Sequence, residues 1–67
     1  MKIAIIGSGY VGLVTGVCLS NIGHTVICVD NDPDKIKRLK SGEATIYEPG
    51  LQDLMTRQMR KKKLSFS

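Results

Sequence analysis

The first twelve residues, MKIAIIGSGYVG, constrain the fold of this 67-residue chain more than any other stretch. An unbroken apolar run from Ile3 to Ile6 precedes Gly7, Gly9 and Gly12. A short apolar run rich in β-branched residues is typical of a strand buried on both faces of a parallel sheet. The segment that follows the glycines has apolar residues every three to four positions, which predicts a helix. The order is therefore strand, glycine turn, helix.

The glycines have the G-x-G-x-x-G spacing of dinucleotide-binding turns. Gly7 permits a sharp turn out of the strand, Gly9 has no side chain to keep a pyrophosphate away, and Gly12 allows the helix to pack closely. The N–H groups and the positive dipole end of the helix would then face the phosphates. The alternative is a tight strand-to-helix turn that binds no ligand.

A second apolar run, Thr25 to Val29, ends at Asp30, which lies 18 residues after Gly12. Ligands bind at the carboxyl ends of the strands in open α/β sheets. A carboxylate there can accept hydrogen bonds from both ribose hydroxyls and would repel a 2′-phosphate, so the pattern predicts NAD rather than NADP. The alternative role for Asp30 is a helix cap, but Asp32 followed by Pro33 is better placed for that role.

The rest of the pattern predicts an α/β protein, a partial Rossmann fold of order βαβααβ with a parallel sheet ordered three, two, one. The predicted elements after the glycine turn are a helix from Tyr10 to about Ile22, a strand from Thr25 to Val29, a helix from Pro33 to about Lys40, a helix opened by Pro49 and a strand beginning at Leu64. The first helix is expected to bury a wide apolar face, and the last helix to turn Gln58 to water. The expected face consists of Val11, Val14, Cys18 and Ile22 with Leu13, Val17 and Leu19, and of Thr15 and Gly16, which keep the helix close to the strands.

The formal net charge of +4 comes from a basic cluster near the end of the last predicted helix, Arg57, Arg60, Lys61, Lys62 and Lys63. Basic residues at a helix C-terminus offset its dipole, and no aromatic residues interleave with them, so no nucleic-acid partner is expected. The two cysteines lack C-x-x-C spacing and are expected to be buried and unreactive. His24 has no second ligand-type residue near it, so no metal site is expected.

The position of the chain in its cell and in a larger protein is also an expectation from the sequence. The first strand follows Met1 almost at once, and no apolar stretch approaches the length of a membrane span, which favours the cytoplasm and no membrane partner. Residues 1–67 end where a strand begins. We therefore expect the chain to be the N-terminal part of an NAD-binding domain that continues beyond residue 67.

Three segments resemble the N-terminus of the UDP-glucose/GDP-mannose dehydrogenase family. They are IGSGYVGLVTG, CVDNDPDKI and IYEPGL, which begin at Ile6, Cys28 and Ile46. The resemblance covers essentially the whole chain, and IYEPGL is its most specific part. It implies an NAD-dependent homo-oligomeric enzyme that oxidises the C6 alcohol of a sugar nucleotide, UDP-glucose first among them, to a carboxylate. The family does this in two hydride transfers through a thioester on a cysteine that would lie downstream of this chain. The resemblance also implies a central helical domain and a sugar-nucleotide-binding domain beyond residue 67.

The resemblance also implies the cofactor-binding residues, which are Gly7, Ser8, Gly9, Tyr10, Val11, Gly12, Asp30 and Lys35. The glycine turn would hold the pyrophosphate, with Tyr10 and Val11 acting through backbone N–H groups. Asp30 would hold the adenosine ribose, and Lys35 would contact the same end of NAD. No catalytic residue is expected within the chain, because neither cysteine matches the family's nucleophile.

The segment Tyr47 to Leu51 is expected beside the cofactor cleft without a catalytic role. Thr45 is a departure from the family, which usually has Pro at this place. Lys35 stands in the first turn of a helix, where a cation is unfavourable unless an anionic ligand is near. A lysine that is simply solvated is the alternative there.

Other classes share parts of this pattern. Hydroxyacyl-CoA and 6-phosphogluconate dehydrogenases begin with a similar turn but lack IYEPGL. The NAD-binding regulatory domains of potassium channels and transporters have a strand-end Asp and a D-P-x-K segment, but they place a buried strand soon after the second helix. FAD proteins usually have Glu where Asp30 stands.

Overall fold

The computed structural model describes residues 1–7, 9–46 and 48–67 and contains three parallel strands and three helices. The elements are β1 Lys2–Ile6, α1 Tyr10–Asn21, β2 Thr25–Val29, α2 Pro33–Lys40, α3 Leu51–Arg60 and β3 Leu64–Phe66. Strand β2 lies between β1 and β3, with Ile3 opposite Val26 and Cys28 opposite Phe66. The predicted α/β class, βαβααβ order and strand order are confirmed. Within the described ranges, no helix combines the length and apolarity that crossing a membrane requires.

The helices pack on one face of the sheet only. Side chains from all three helices meet the same face of β2 and β3 in one core, which comprises Leu13, Val17, Val26, Cys28, Ile36, Leu39, Leu51, Met55, Leu64 and Phe66. Ala4, Ile6 and Ile27 point to the other face and are exposed, Ile6 to 82%. The prediction that the first strand is buried on both faces is therefore wrong for this chain, because no described helix covers the second face.

The buried face of α1 agrees with the predicted one only in part. Leu13, Gly16 and Val17 are buried as predicted, and Ser20 is buried as well, whereas Val11, Cys18 and Ile22 are exposed. Apolar residues occur on nearly every side of this helix, so periodicity alone did not fix which side faces the sheet. Gly16 does fix it, because a β-carbon there would lie 2.7 Å from the Cys28 Sγ atom.

Helix α3 departs from the sequence expectation at two positions. Gln58 is 2% exposed, and its Nε2 atom donates a hydrogen bond to Asn21 Oδ1 at 3.2 Å, because α3 packs against α1. The expectation that Gln58 faces water is therefore wrong. Pro49 was expected to open the helix, but it lies before it. The N-cap is Gly50, which has a left-handed backbone with φ of 79°, and the first helical residue is Leu51.

All three helices end in the same backbone arrangement. In α1 the Gly23 and His24 N–H groups donate to the Ser20 and Leu19 carbonyls, a Schellman motif. The residue after the C-cap has a positive φ in each case: 110° at Gly23, 91° at Gly42 and 60° at Lys62. Lys62 is the one non-glycine residue with positive φ in the described part of the chain.

The Lys62 backbone generates a stability prediction. Lys62→Gly should raise the free energy of unfolding by about 0.5–1 kcal/mol, because glycine adopts the left-handed conformation without steric cost. Lys61→Gly removes the same charge at a right-handed position, φ −78°, and should lower the free energy of unfolding by about 0.5–1 kcal/mol. Urea unfolding of both variants tests this, and equal destabilisation by the two would contradict it.

The pairing of β1 generates a hydrogen-exchange prediction for the dilute 67-residue chain. Strand β1 has β2 as its hydrogen-bonded neighbour on one side, and the Gly7 N–H donates to the Val29 carbonyl at 2.6 Å. Alternate N–H groups of a strand point to opposite sides, so those of Ala4 and Ile6 point away from β2. We expect fast exchange at Ala4 and Ile6 and slower exchange at Ile3 and Ile5. Full protection of all β1 amides in a monomer would contradict this.

Candidate functional site

The candidate site lies where β1 and β2 end side by side. Ile6 is paired with Val29, and the next residue of each strand, Gly7 and Asp30, stands at the carboxyl edge of the sheet. The Gly7 N–H donates to the Val29 carbonyl, so the glycine turn leaves the sheet beside Asp30. The structure therefore brings the two strongest sequence signals, the glycine turn and the strand-end carboxylate, to one edge.

The glycine turn is closed by a backbone contact with α1. Gly7 has φ of 93°, in the left-handed region. A β-carbon on Gly12 would lie 2.2 Å from the Gly7 carbonyl oxygen and 3.5 Å from Ile5 Cγ2. The prediction that Gly12 permits close packing is thus refined, because the nearest neighbour is the turn itself and the strand comes second.

The start of α1 is left open toward solvent. Gly9 is the N-cap, with extended backbone (φ −70°, ψ −170°), and nothing lies within 4 Å of the place a β-carbon would take. Among the described residues, no side chain caps the helix and no acidic residue stands in its first turn. Such a helix start presents N–H donors and a positive dipole end to an anion. Tyr10 and Val11, the first two residues of α1, are exposed; Ser8 lies outside the described residues.

The start of α2 is closed by its own side chain. The Asp32 carboxylate accepts hydrogen bonds from the Asp34 and Lys35 N–H groups at 3.1 and 3.2 Å. Asp32 is therefore the cap of α2, as predicted, and Asp30 is not. The Asp30 Oδ1 atom accepts a hydrogen bond from the Asp32 N–H at 2.9 Å, and its side chain is 10% exposed.

Lys35 has an anionic partner within the chain. Its Nζ atom lies 3.5 Å from Asp30 Oδ2, and its side chain is 33% exposed. This pair accounts for a cation in the first turn of α2, which the sequence could attribute only to a ligand or to solvent. The two predicted adenosine-end residues are thus in contact.

The segment 43–50 reaches the same edge. A cavity of about 290 Å³ is bounded by α2, by Gly9 and by Thr45 and Ile46 of this segment. Near its end, the Tyr10 hydroxyl donates a hydrogen bond to Glu48 Oε2 at 2.9 Å. This hydrogen bond and the negative charge of Glu48 raise the pKa of Tyr10. The segment expected beside the cleft was Tyr47 to Leu51; of that range, Glu48 contacts the start of α1, and Tyr47 is outside the described residues.

The Tyr10–Glu48 contact is the feature that sequence reasoning missed. The two residues are 38 positions apart, so no local pattern links them. The available signal was topological. Because the end of α3 leads into the start of β3, the start of α3 must lie near the carboxyl edge of the sheet. Glu48 comes just before the start of α3 and therefore lies near the same edge.

The two cysteines differ in environment. Cys28 is fully buried in β2, and burial raises the pKa of its thiol to about 11, which keeps it protonated and unreactive near neutral pH. Cys18 is exposed on α1, so the expectation that both thiols are buried is wrong for Cys18. Cys18 lies on the side of α1 that turns away from Gly16 and the sheet.

Residues 1–67 match the family model for the NAD-binding domain of the UDP-glucose/GDP-mannose dehydrogenase family. The UDP-glucose 6-dehydrogenase of Rhizobium meliloti (strain 1021) is 51% identical over 67 residues, which are 100% of this chain and 15% of that protein. The solved GDP-mannose dehydrogenase of Pseudomonas aeruginosa has a TM-score of 0.94 at 43% identity, over 100% of this chain and 15% of that one. The solved UDP-N-acetyl-mannosamine dehydrogenase Cap5O of Staphylococcus aureus has a TM-score of 0.96 at 34% identity, over 100% and 16%.

These similarities agree with the order of the elements. Helix α3 stands between α2 and β3, where the regulatory domains of channels and transporters would have a buried strand. The matched domain binds NAD, which confirms the predicted cofactor. The chain spans about 15% of the length of the relatives that it matches. From its first residue to its last, this chain belongs to the UDP-glucose/GDP-mannose dehydrogenase family.

Proposed function

We propose that this chain is the N-terminal part of the NAD-binding domain of a longer UDP-glucose 6-dehydrogenase, a cytoplasmic homo-oligomer. That enzyme would oxidise UDP-glucose to UDP-glucuronate with two NAD. The observation that carries the proposal is the placement of an open helix start and a strand-end carboxylate side by side at the carboxyl edge of a parallel sheet.

The residues of the edge fit the parts of NAD. The space beside Gly9 and the uncapped start of α1 suit a pyrophosphate, held by the N–H groups of Tyr10 and Val11. Asp30 suits the adenosine ribose, and Lys35 keeps the Asp30 carboxylate oriented and partly neutralised. When bound, NAD supplies the hydride acceptor for the sugar alcohol, while these residues bind and orient its adenosine half.

UDP-glucose is proposed because a relative that is 51% identical over the whole chain is a UDP-glucose 6-dehydrogenase. Two UDP-glucose 6-dehydrogenases of Bacillus subtilis (strain 168) are 52% identical over 98% of the chain, whereas the solved structures at 34–43% identity include enzymes for UDP-glucose, GDP-mannose and UDP-N-acetyl-mannosamine. Steady-state assays of the full-length protein with the three sugar nucleotides test this choice. The proposal expects the highest kcat/KM with UDP-glucose, and a preference for either other sugar nucleotide would overturn it.

Substitutions at Gly9 and Gly12 should separate binding from stability. Gly9→Ala meets open space at an accessible backbone conformation, so it should cost at most about 1 kcal/mol of unfolding free energy. It should nevertheless weaken NAD binding at least about tenfold, because its methyl group occupies the space proposed for the pyrophosphate. Gly12→Ala should cost about 2–3 kcal/mol of unfolding free energy, because its methyl group would overlap the Gly7 carbonyl.

Calorimetric titration with NAD and thermal unfolding of the same samples measure the two effects. If Gly9→Ala binds NAD as tightly as the unchanged protein, the pyrophosphate does not lie against this turn.

Asp30→Ala tests the ribose contact and the choice of cofactor. NAD binding to the full-length protein should weaken by about 10- to 100-fold, the effect of losing hydrogen bonds to a charged group. Binding of NADP should weaken less or improve, because the repulsion of its 2′-phosphate is removed. Asp53→Ala removes an exposed carboxylate of α3 and should leave both affinities unchanged. Unaltered NAD affinity in Asp30→Ala, or a preference for NADP in the unchanged protein, would refute the assignment.

A further inference from the structure

The segment 43–50 is fastened at its two ends by side chains of the neighbouring helices. At its start, the Arg38 Nε atom donates to Glu43 Oε2 at 2.6 Å, and the Ala44 N–H donates to Gln52 Oε1 at 3.1 Å. The guanidinium of Arg38 lowers the pKa of the Glu43 carboxyl. At its other end, the contact is the hydrogen bond from the Tyr10 hydroxyl to Glu48. The segment therefore connects α2 to the first residue of α1.

The first turn of α1 lacks the side-chain cap that helix N-termini usually have. Its N-cap is Gly9, which has no side-chain oxygen to accept a hydrogen bond from the helix N–H groups. Tyr10 is the first helical residue, and the carboxylate that holds its side chain comes from a segment 38 residues away. The hydrogen bond from Tyr10 to Glu48 thus restrains the part of α1 whose N–H groups are open to a ligand.

The restrained residues also border the candidate site. Gly9 lies at one side of the cavity of about 290 Å³, Lys35 lies at another, and Thr45 and Ile46 form a wall between the two ends of segment 43–50. The hydrogen bond from Tyr10 to Glu48 therefore joins the helix start to the segment that supplies this wall.

We propose that Tyr10 and Glu48 form a positioning pair for the dinucleotide. Their hydrogen bond fixes the side chain of the first helical residue and holds the Tyr10 and Val11 N–H groups, which no described side chain caps, in the arrangement that a pyrophosphate requires. A site held in its binding arrangement beforehand spends less free energy on ordering when the ligand binds. The inference rests on the proposed function, because it takes NAD as the ligand of this edge.

The test compares variants of the full-length protein by calorimetric titration with NAD. Tyr10→Phe and Glu48→Ala should each raise the Kd for NAD by about 3- to 10-fold, the usual range for one hydrogen bond. Glu48→Gln keeps an acceptor oxygen and should raise the Kd by less than about twofold. The double variant Tyr10→Phe/Glu48→Ala should be no weaker than either single variant, since both remove the same contact.

A spectroscopic readout isolates the pair from general stability. In protein labelled with carbon-13 at the tyrosine Cζ atoms, the pKa of Tyr10 should lie above 10, because the Glu48 carboxylate stabilises the protonated phenol. Glu48→Ala should lower that pKa, whereas Asp53→Asn, which removes an exposed carboxylate from the first turn of α3, should change neither the pKa nor the Kd.

Two results would overturn the proposal. If Glu48→Gln and Glu48→Ala both tighten NAD binding, Glu48 acts on the ligand as a repelling charge and not through Tyr10. If Tyr10→Phe leaves the Kd unchanged while Asp30→Ala weakens NAD binding, the site binds NAD without this pair. If Asp30→Ala also leaves the Kd for NAD unchanged, the result counts against the proposed function itself. The two variants together therefore distinguish failure of the pair from failure of the proposed function.

Discussion

The arrangement of the site depends on one close approach of backbone to backbone. The carbonyl oxygen of Gly7 occupies space that the β-carbon of any other residue at position 12 would require. Because Gly7 ends the first strand and Gly12 stands in the first turn of α1, this contact sets the distance between the sheet edge and the helix start. Leu13 and Val17 follow on the same helix and enter the core. One contact therefore links the phosphate-binding geometry to the packing of the domain.

Helices α1 and α2 both begin at the carboxyl edge of the sheet, but the positive ends of their dipoles have opposite surroundings. Helix α2 is capped by Asp32 and carries Asp34 in its first turn, so two carboxylates of the chain itself offset the positive end of its dipole. Helix α1 begins at a glycine and has no acidic residue in its first turn. An anionic ligand is therefore favoured at α1 and disfavoured at α2. With Asp32 as the cap of α2, Asp30 is left for another role.

The sequence was sufficient for the parts that depend on local pattern. The glycine spacing, the strand-end Asp30, the Asp32 cap and the order of the strands were all predictable, because each follows from short-range sterics or from the connection rules of parallel sheets. The burial of Gln58 was not, because it depends on a partner, Asn21, on another helix. The side of α1 that faces the sheet was also not predictable from periodicity, because its apolar residues surround the helix.

The contact of segment 43–50 with α1 was also not predictable from the sequence. The resemblance placed this segment beside the cleft, but its contact with α1 runs between two polar side chains from distant parts of the chain. The left-handed backbone at Lys62 had no sequence signal either, because glycine holds the equivalent positions after the other two helices. In both cases tertiary context decides the conformation.

The face of the sheet that no described helix covers affects how another strand could pair with β1. Ala4, Ile6 and Ile27 offer apolar contact there, while the outer margin of β1 offers backbone donors and acceptors. A strand added at that margin would be held by a ladder of hydrogen bonds and by its isoleucine neighbours at once. The two attractions agree only in every second register, since a slip of one residue would turn the apolar side chains of the added strand to the wrong side. The exposed face thus selects which alignments an added strand can adopt.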